Sequence, residues 1–181
     1  NVRRNKSGML TATALFSYSR LTLFKGGSSS LYKLNEGELI SAFSPLRESL
    51  EKMAFASYIC DVTNSVIQEG AADTEQFELL LRCLYLLSKA DANHEKIKAV
   101  FEFRTLTVSG LLPNLSRCGG CGTATGISSI NPYDGLVYCK KCTSAMPSFS
   151  YPVNNGILAA VSYISVADKK KIFSFNMSDK A

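Results

Sequence analysis

The chain has 181 residues, 46% of them hydrophobic, with 20 lysines and arginines against 15 acids and a formal charge of +5. That length and apolar content can fill a core, as one large domain or two to three small ones, and they exclude an intrinsically disordered chain. The richest apolar stretch, Phe77 to Leu87, is broken by Glu78 and Arg82, so no run reaches the roughly 18 to 20 residues of a membrane span.

Charge is unevenly placed. Residues 1–35 hold six bases (Arg3, Arg4, Lys6, Arg20, Lys25 and Lys33) and no acid, whereas residues 44–112 hold seven bases against ten acids. A basic start of this kind reads either as a solvated face or as a surface for a polyanion. The same segment predicts short strands over Leu10 to Phe16, Tyr18 to Lys25, Leu31 to Leu34 and Leu39 to Phe43, with Gly26 to Ser30 as a hairpin connection. That connection lacks the Gly-Lys-Ser/Thr ending of a phosphate-binding loop.

At Ser44 and Pro45 the period changes. Serine suits an N-cap and proline the first helical position, and Leu46, Leu50, Ala54, Tyr58, Val62 and Val66 follow at four-residue spacing, predicting a helix that stops near Gly70. A second helix is expected over Thr74 to Lys89, capped by Asp73 or Thr74. A third runs from about His94 to Leu112, ended by Pro113. Their wide apolar faces predict a helical bundle. His94, the only histidine, sits in a polar stretch with no identifiable acid–base partner and is expected at the surface.

Two Cys-x-x-Cys pairs come next, Cys118/Cys121 and Cys139/Cys142, separated by the 17 residues from Gly122 to Tyr138. The spacing fits a structural site in which four thiolates fill the tetrahedral shell of Zn2+. Two disulfides and a redox-active pair are the alternatives. Between the pairs there is no histidine and the only carboxylate is Asp134, so nothing activates a metal-bound water. Gly119, Gly120 and Gly122 are expected to supply positive φ, and Asp134-Gly135 to turn a hairpin whose strands are Gly126 to Ile130 and Leu136 to Tyr138. Cys60 and Cys83 lie in apolar helical runs as small hydrophobes, which together with the absence of a signal-like segment points to a reducing cytoplasm.

Pro147 and Pro152 bracket an extended link, Asn154 or Asn155 caps a fourth helix reaching Val166, and Lys169, Lys170 and Lys171 follow, a run whose ordinary role is solvation. No Gly-x-Ser-x-Gly, His-Glu-x-x-His or Walker loop occurs, so the chain is read as a non-enzyme.

Gly110 to Leu115 leading into Cys118, Ile172 to Asn176 after the lysine run, Val2 to Ser7, and Phe43 to Leu50 together resemble the RecO family of bacterial recombination-repair proteins, in an order that spans nearly the whole chain. The resemblance implies an α+β multidomain fold. Its parts are a partial N-terminal OB-type β-barrel over residues 1–43, a central helical domain over 44–116, a four-cysteine zinc finger over 117–146 and a C-terminal helical segment over 147–181. Further family segments are expected at both ends.

It also implies a cytoplasmic, nucleoid-associated mediator that binds single- and double-stranded DNA, anneals strands, associates with RecR and the single-stranded-DNA-binding protein, and helps load RecA. Arg3, Arg4 and Lys6 match the family's basic stretch, and Arg20, Lys25 and Lys33 on neighbouring strands complete the candidate DNA contacts. Two other classes compete with this reading. One is a zinc-containing adaptor that binds proteins with no direct DNA role, and the other is a zinc-ribbon fragment of a larger enzyme.

Overall fold

The computed structural model describes residues 8–27, 30–70, 72–145 and 150–176. Arg3, Arg4 and Lys6 lie outside them. The fold is mixed α/β, with helices and two small sheets distributed over two compact units, Asn1–Lys98 and Ala99–Ala181.

The first unit opens differently from the sequence expectation. Residues 8–12 are helical, and the Thr11 and Thr13 hydroxyls bond back to the carbonyls of Gly8 (2.9 Å) and Met9 (2.7 Å). Two strands follow, β1 (Ser17–Lys25) and β2 (Tyr32–Ala42), paired antiparallel with irregularities beside Tyr18 and Thr22. The two short strands expected from Leu31 onward are therefore one long one. Among the described residues this sheet has two strands and no closed barrel forms. Ala12 is buried where the helical turn meets β2, and a Cβ on Gly37 would stand 2.8 Å from the Ala12 Cβ.

Ser44–Arg47 forms a 3-10 turn whose preceding residue makes no side-chain cap, with Leu46 fully buried. Helix α1 (Leu50–Val66) starts only afterwards, capped by Ser49, whose hydroxyl accepts from the Lys52 amide. Its buried face is Ala56, Ile59 and Thr63, while Leu50, Tyr58 and Val66 of the expected four-spaced row are exposed. A strict spacing of four overshoots the 3.6-residue turn and winds away from the core. Helix α2 (Thr74–Leu87), capped by Asp73 at the Gln76 amide (2.9 Å), packs on α1 and buries Leu79, Cys83, Leu84 and Leu87. Burial holds the Cys83 thiol far above its ordinary pKa, the behaviour expected of a small hydrophobe.

Helix α3 (His94–Val108) contains the boundary between the units. It ends earlier than expected. Gly110 takes φ +69°, its amide bonds to Thr107 O and the Leu111 amide to Leu106 O at 2.8 Å, the paired bonds of a Schellman stop. Pro113 lies beyond the end.

The second unit contains a three-stranded sheet in the order β4 (Leu136–Cys139), β3 (Ile127–Asn131), β5 (Tyr151–Pro152), all antiparallel. The one-turn helix α4 (Lys140–Thr143) follows β4 directly. Helix α5 (Asn155–Val166) is capped by Asn154, which accepts from the Ile157 amide at 2.8 Å. Arg104 binds the Ile164 and Ser165 carbonyls at the far end of α5, neutralising the negative pole of its dipole. Among the described residues no helix is long and apolar enough to cross a membrane.

Candidate functional site

The hairpin β3–β4 is built by its turn. Asp134 accepts from the Leu136 amide (2.8 Å), from Asn131 Nδ2 (3.1 Å) and from the Tyr138 hydroxyl (2.6 Å), while Gly135 reverses the chain at φ +66°. Tyr138 is thereby fixed as a hydrogen-bond donor. Its pKa is pushed up to about 12, first by that bond to Asp134, then by burial and the nearby negative charge.

This hairpin carries Cys139 at the end of β4 and Cys142 one helical turn later. Cys118 and Cys121 arrive on a loop stitched to the same strand. The Gly119 amide donates to Val137 O (2.8 Å), the Cys118 amide to Thr123 O (2.8 Å) and the Gly122 amide to Cys118 O (2.8 Å). Cys118 and Cys139 belong to the small core with Ile127, Val137 and Tyr138, whereas Cys142 is half-buried and Cys121 exposed.

All six cysteines are free thiols, and the four sulfurs of the two pairs lie within 4.8 Å of one another. Cys121 and Cys139 Sγ are 3.7 Å apart. Four sulfurs on a tetrahedron of about 2.3 Å radius would be separated by about 3.8 Å, so the donor set and its spacing fit a tetrahedral metal ion such as Zn2+. The electrostatics agree. Backbone amides, foremost that of Cys139 at 3.3 Å, then those of Cys121 and Gly120, point at Cys118 Sγ and hold its pKa down to about 6. Cys142 is held up at about 12, because its proton is shared with the sulfurs of Cys118, Cys139 and Cys121. Four sulfurs crowded without a cation cannot all ionise, and a divalent ion removes that conflict.

The glycines act by a route other than the expected one. Only Gly122 of the three has positive φ (+74°). Gly120 is required for space, since a Cβ there would stand 2.9 Å from Cys142 Sγ, and at Gly119 it would meet Leu136 at 2.8 Å. The Gly120 amide also points at the Cys118 sulfur.

Of the candidate DNA residues, Arg20, Lys25 and Lys33 are described and all are exposed. Opposed residues of the ladder share a face, which puts Arg20 and Lys33 on one side with Thr22, Phe24, Glu36 and Glu38, and Lys25 on the other with Tyr32. Arg20 pairs with Glu38 at 3.0 Å and Lys25 lies 5.1 Å from the centre of the Tyr32 ring. His94 differs from expectation. Only 16% of its side chain is exposed, and Nδ1 sits 2.9 Å from Glu51 Oε1, with Phe55 against the ring. Glu51 is 43 residues distant in sequence, so no local pattern announces it.

Helices with two small open sheets, one of them closed around four thiols, define a mixed α/β protein with a cysteine knuckle of the kind that metal ions brace. The profile described as "Recombination protein O C terminal" matches residues 47–181. The DNA repair protein RecO of Alkaliphilus metalliredigens is 34% identical over 171 residues, covering 94% of this chain and 68% of the relative. That of Acetivibrio thermocellus is 32% identical over 178 residues, covering 98% and 70%. The chain belongs to the RecO family.

Proposed function

We propose that the protein is a recombination mediator without chemistry of its own, which binds single- and double-stranded DNA, anneals strands and helps load RecA together with RecR and the single-stranded-DNA-binding protein. Family membership over residues 47–181 carries this reading and supports a role in DNA repair and recombination. Within it, Cys118, Cys121, Cys139 and Cys142 hold a structural Zn2+, supported by the fit of four sulfurs within 4.8 Å. The ion braces the hairpin and leaves no coordination position for a reacting group.

In the same reading, residues 1–43 belong to an OB-type barrel, 44–116 to the helical domain, 117–146 to the zinc finger and 147–181 to the C-terminal segment. Arg3, Arg4, Lys6, Arg20, Lys25 and Lys33 contact phosphates, so DNA binding is sequence-independent and falls with salt. If about four cations engage single-stranded DNA, the log–log salt slope is near −3 at roughly −0.7 per contact. A salt series on the full-length protein with Arg3→Ala/Arg4→Ala tests this: a flat slope, or an unchanged affinity in the double variant, refutes the DNA surface. One observation favours the alternative, an adaptor that binds proteins only. Glu36 and Glu38 share the face of Arg20 and Lys33 and offset its charge.

A further inference from the structure

Where α1 ends and α2 begins, the surface opens into a groove with two adjoining lobes of about 560 and 360 Å3 that share Ile67 and Phe77. The larger lobe is floored by Ile67, Phe77 and Leu80, with Cys60 and Thr63 of α1 on its wall. Thr63 is 4% exposed, and its hydroxyl oxygen has no hydrogen-bond partner. That oxygen is itself out of contact with solvent, so Thr63 forms part of the groove's packing and offers the occupant no hydrogen bond.

Among the described residues that line the groove, the charge has one sign. Glu69 lines the larger lobe and Asp73 the smaller, and among the described residues no lysine or arginine lines either. The groove also lies at the carbonyl end of α1, whose last turn carries no basic residue. That pole carries partial negative charge and favours a cation. The opposite pole, at the start of α2, is already served by Asp73 on the Gln76 amide and by Glu75 in the first turn. A long cationic side chain matches the whole arrangement, its methylene stem on the apolar floor and its charged head toward the carboxylates.

We infer that this groove docks a partner protein through a lysine- or arginine-bearing segment with flanking aliphatic residues. The acidic rim repels phosphates, so this site does not itself serve as a DNA surface. It does not depend on the DNA reading.

The test uses the full-length protein and two labelled probes, a peptide of alternating leucine and lysine and the same peptide with glutamate for lysine. Anisotropy reads binding, and the alkylation rate of Cys60, followed by mass spectrometry, reads occupancy of the larger lobe. The lysine peptide is expected to bind and slow alkylation of Cys60, and the glutamate peptide to do neither. Glu69→Gln with Asp73→Asn removes both charges, while the asparagine amide oxygen still caps the helix. It is expected to weaken the lysine peptide about 2- to 25-fold, the range for two exposed ion pairs. Thr63→Val replaces an inaccessible hydroxyl with a methyl and is expected to leave both fold and peptide binding intact. Equal protection of Cys60 by the glutamate peptide, binding without protection, binding unchanged in the double charge variant, or protection that tracks self-association without peptide would each overturn the inference.

Discussion

Arg20 and Glu38 face each other across the β1–β2 ladder, Nη1 to Oε2 at 3.0 Å, with both side chains largely exposed. A guanidinium already held by a carboxylate must give up that partner to reach a phosphate. Glu38→Gln is therefore expected to tighten single-stranded DNA binding about 1.5- to 5-fold at low salt, the range of an exposed ion pair, and to steepen the log–log salt slope by up to about 0.7. An unchanged affinity and slope would remove Arg20 from the DNA surface.

Gly120 and Gly122 make opposite demands on the same loop. At Gly120 an added methyl meets Cys142 Sγ, whereas at Gly122 it meets nothing and only the φ of +74° resists it. Gly120→Ala is expected to lower bound zinc well below one per chain. Gly122→Ala keeps the metal and costs about 1 kcal/mol of backbone strain. Elemental analysis and thermal melting of the two variants separate the effects, and equal zinc in both would contradict the steric account.

Chelation of the purified, reduced protein, or Cys118→Ser, is expected to lower the melting temperature and expose the 118–142 segment to protease, since metal binding and local folding share one free energy. DNA binding below the melting temperature should fall less than stability does. Identical melts with and without metal would refute a bracing role.

The Tyr138–Asp134 bond sets a signature at high pH. The tyrosine pKa stands near 10 in the unfolded chain and about 12 when folded. A raised folded value stabilises the protonated form, so this contribution is complete below pH about 10 and is lost as the pH rises through about 12. Asp134→Asn is expected to bring one late-titrating tyrosinate transition down toward 10. If the spectrophotometric titration is unchanged, the phenol is not held by Asp134.

Ser49, rather than Ser44, starts the first long helix. Ser49→Ala is expected to cost about 1 kcal/mol and Ser44→Ala within about 0.5 kcal/mol in chemical denaturation. The reverse order would restore the helix start suggested by Pro45.

What could be read in the chain was what neighbours along it decide. Cys-x-x-Cys spacing, the Asp134-Gly135 turn and the Asp73 and Asn154 caps are all settled within a few residues, and the fold reproduces them. What escaped depends on distance or fine geometry. Apolar Leu10 to Phe16 is as compatible with helix as with strand over so short a run, and residues 8–12 take the helix. The core face of α1 passes through Thr63, a polar residue, and so left no apolar row to find. The Gly120 requirement comes from a sulfur 22 positions later, and the partner of His94 from another helix.

The four sulfurs are not equivalent in their surroundings, since Cys118 and Cys139 are core residues and Cys121 faces water. Any ion seated there is anchored on its inner side and ventilated on its outer side. A competing thiol would meet Cys121 before the other three, so the lifetime of such an ion would be set at that outer ligand, with the inner pair as the seat to which it could return.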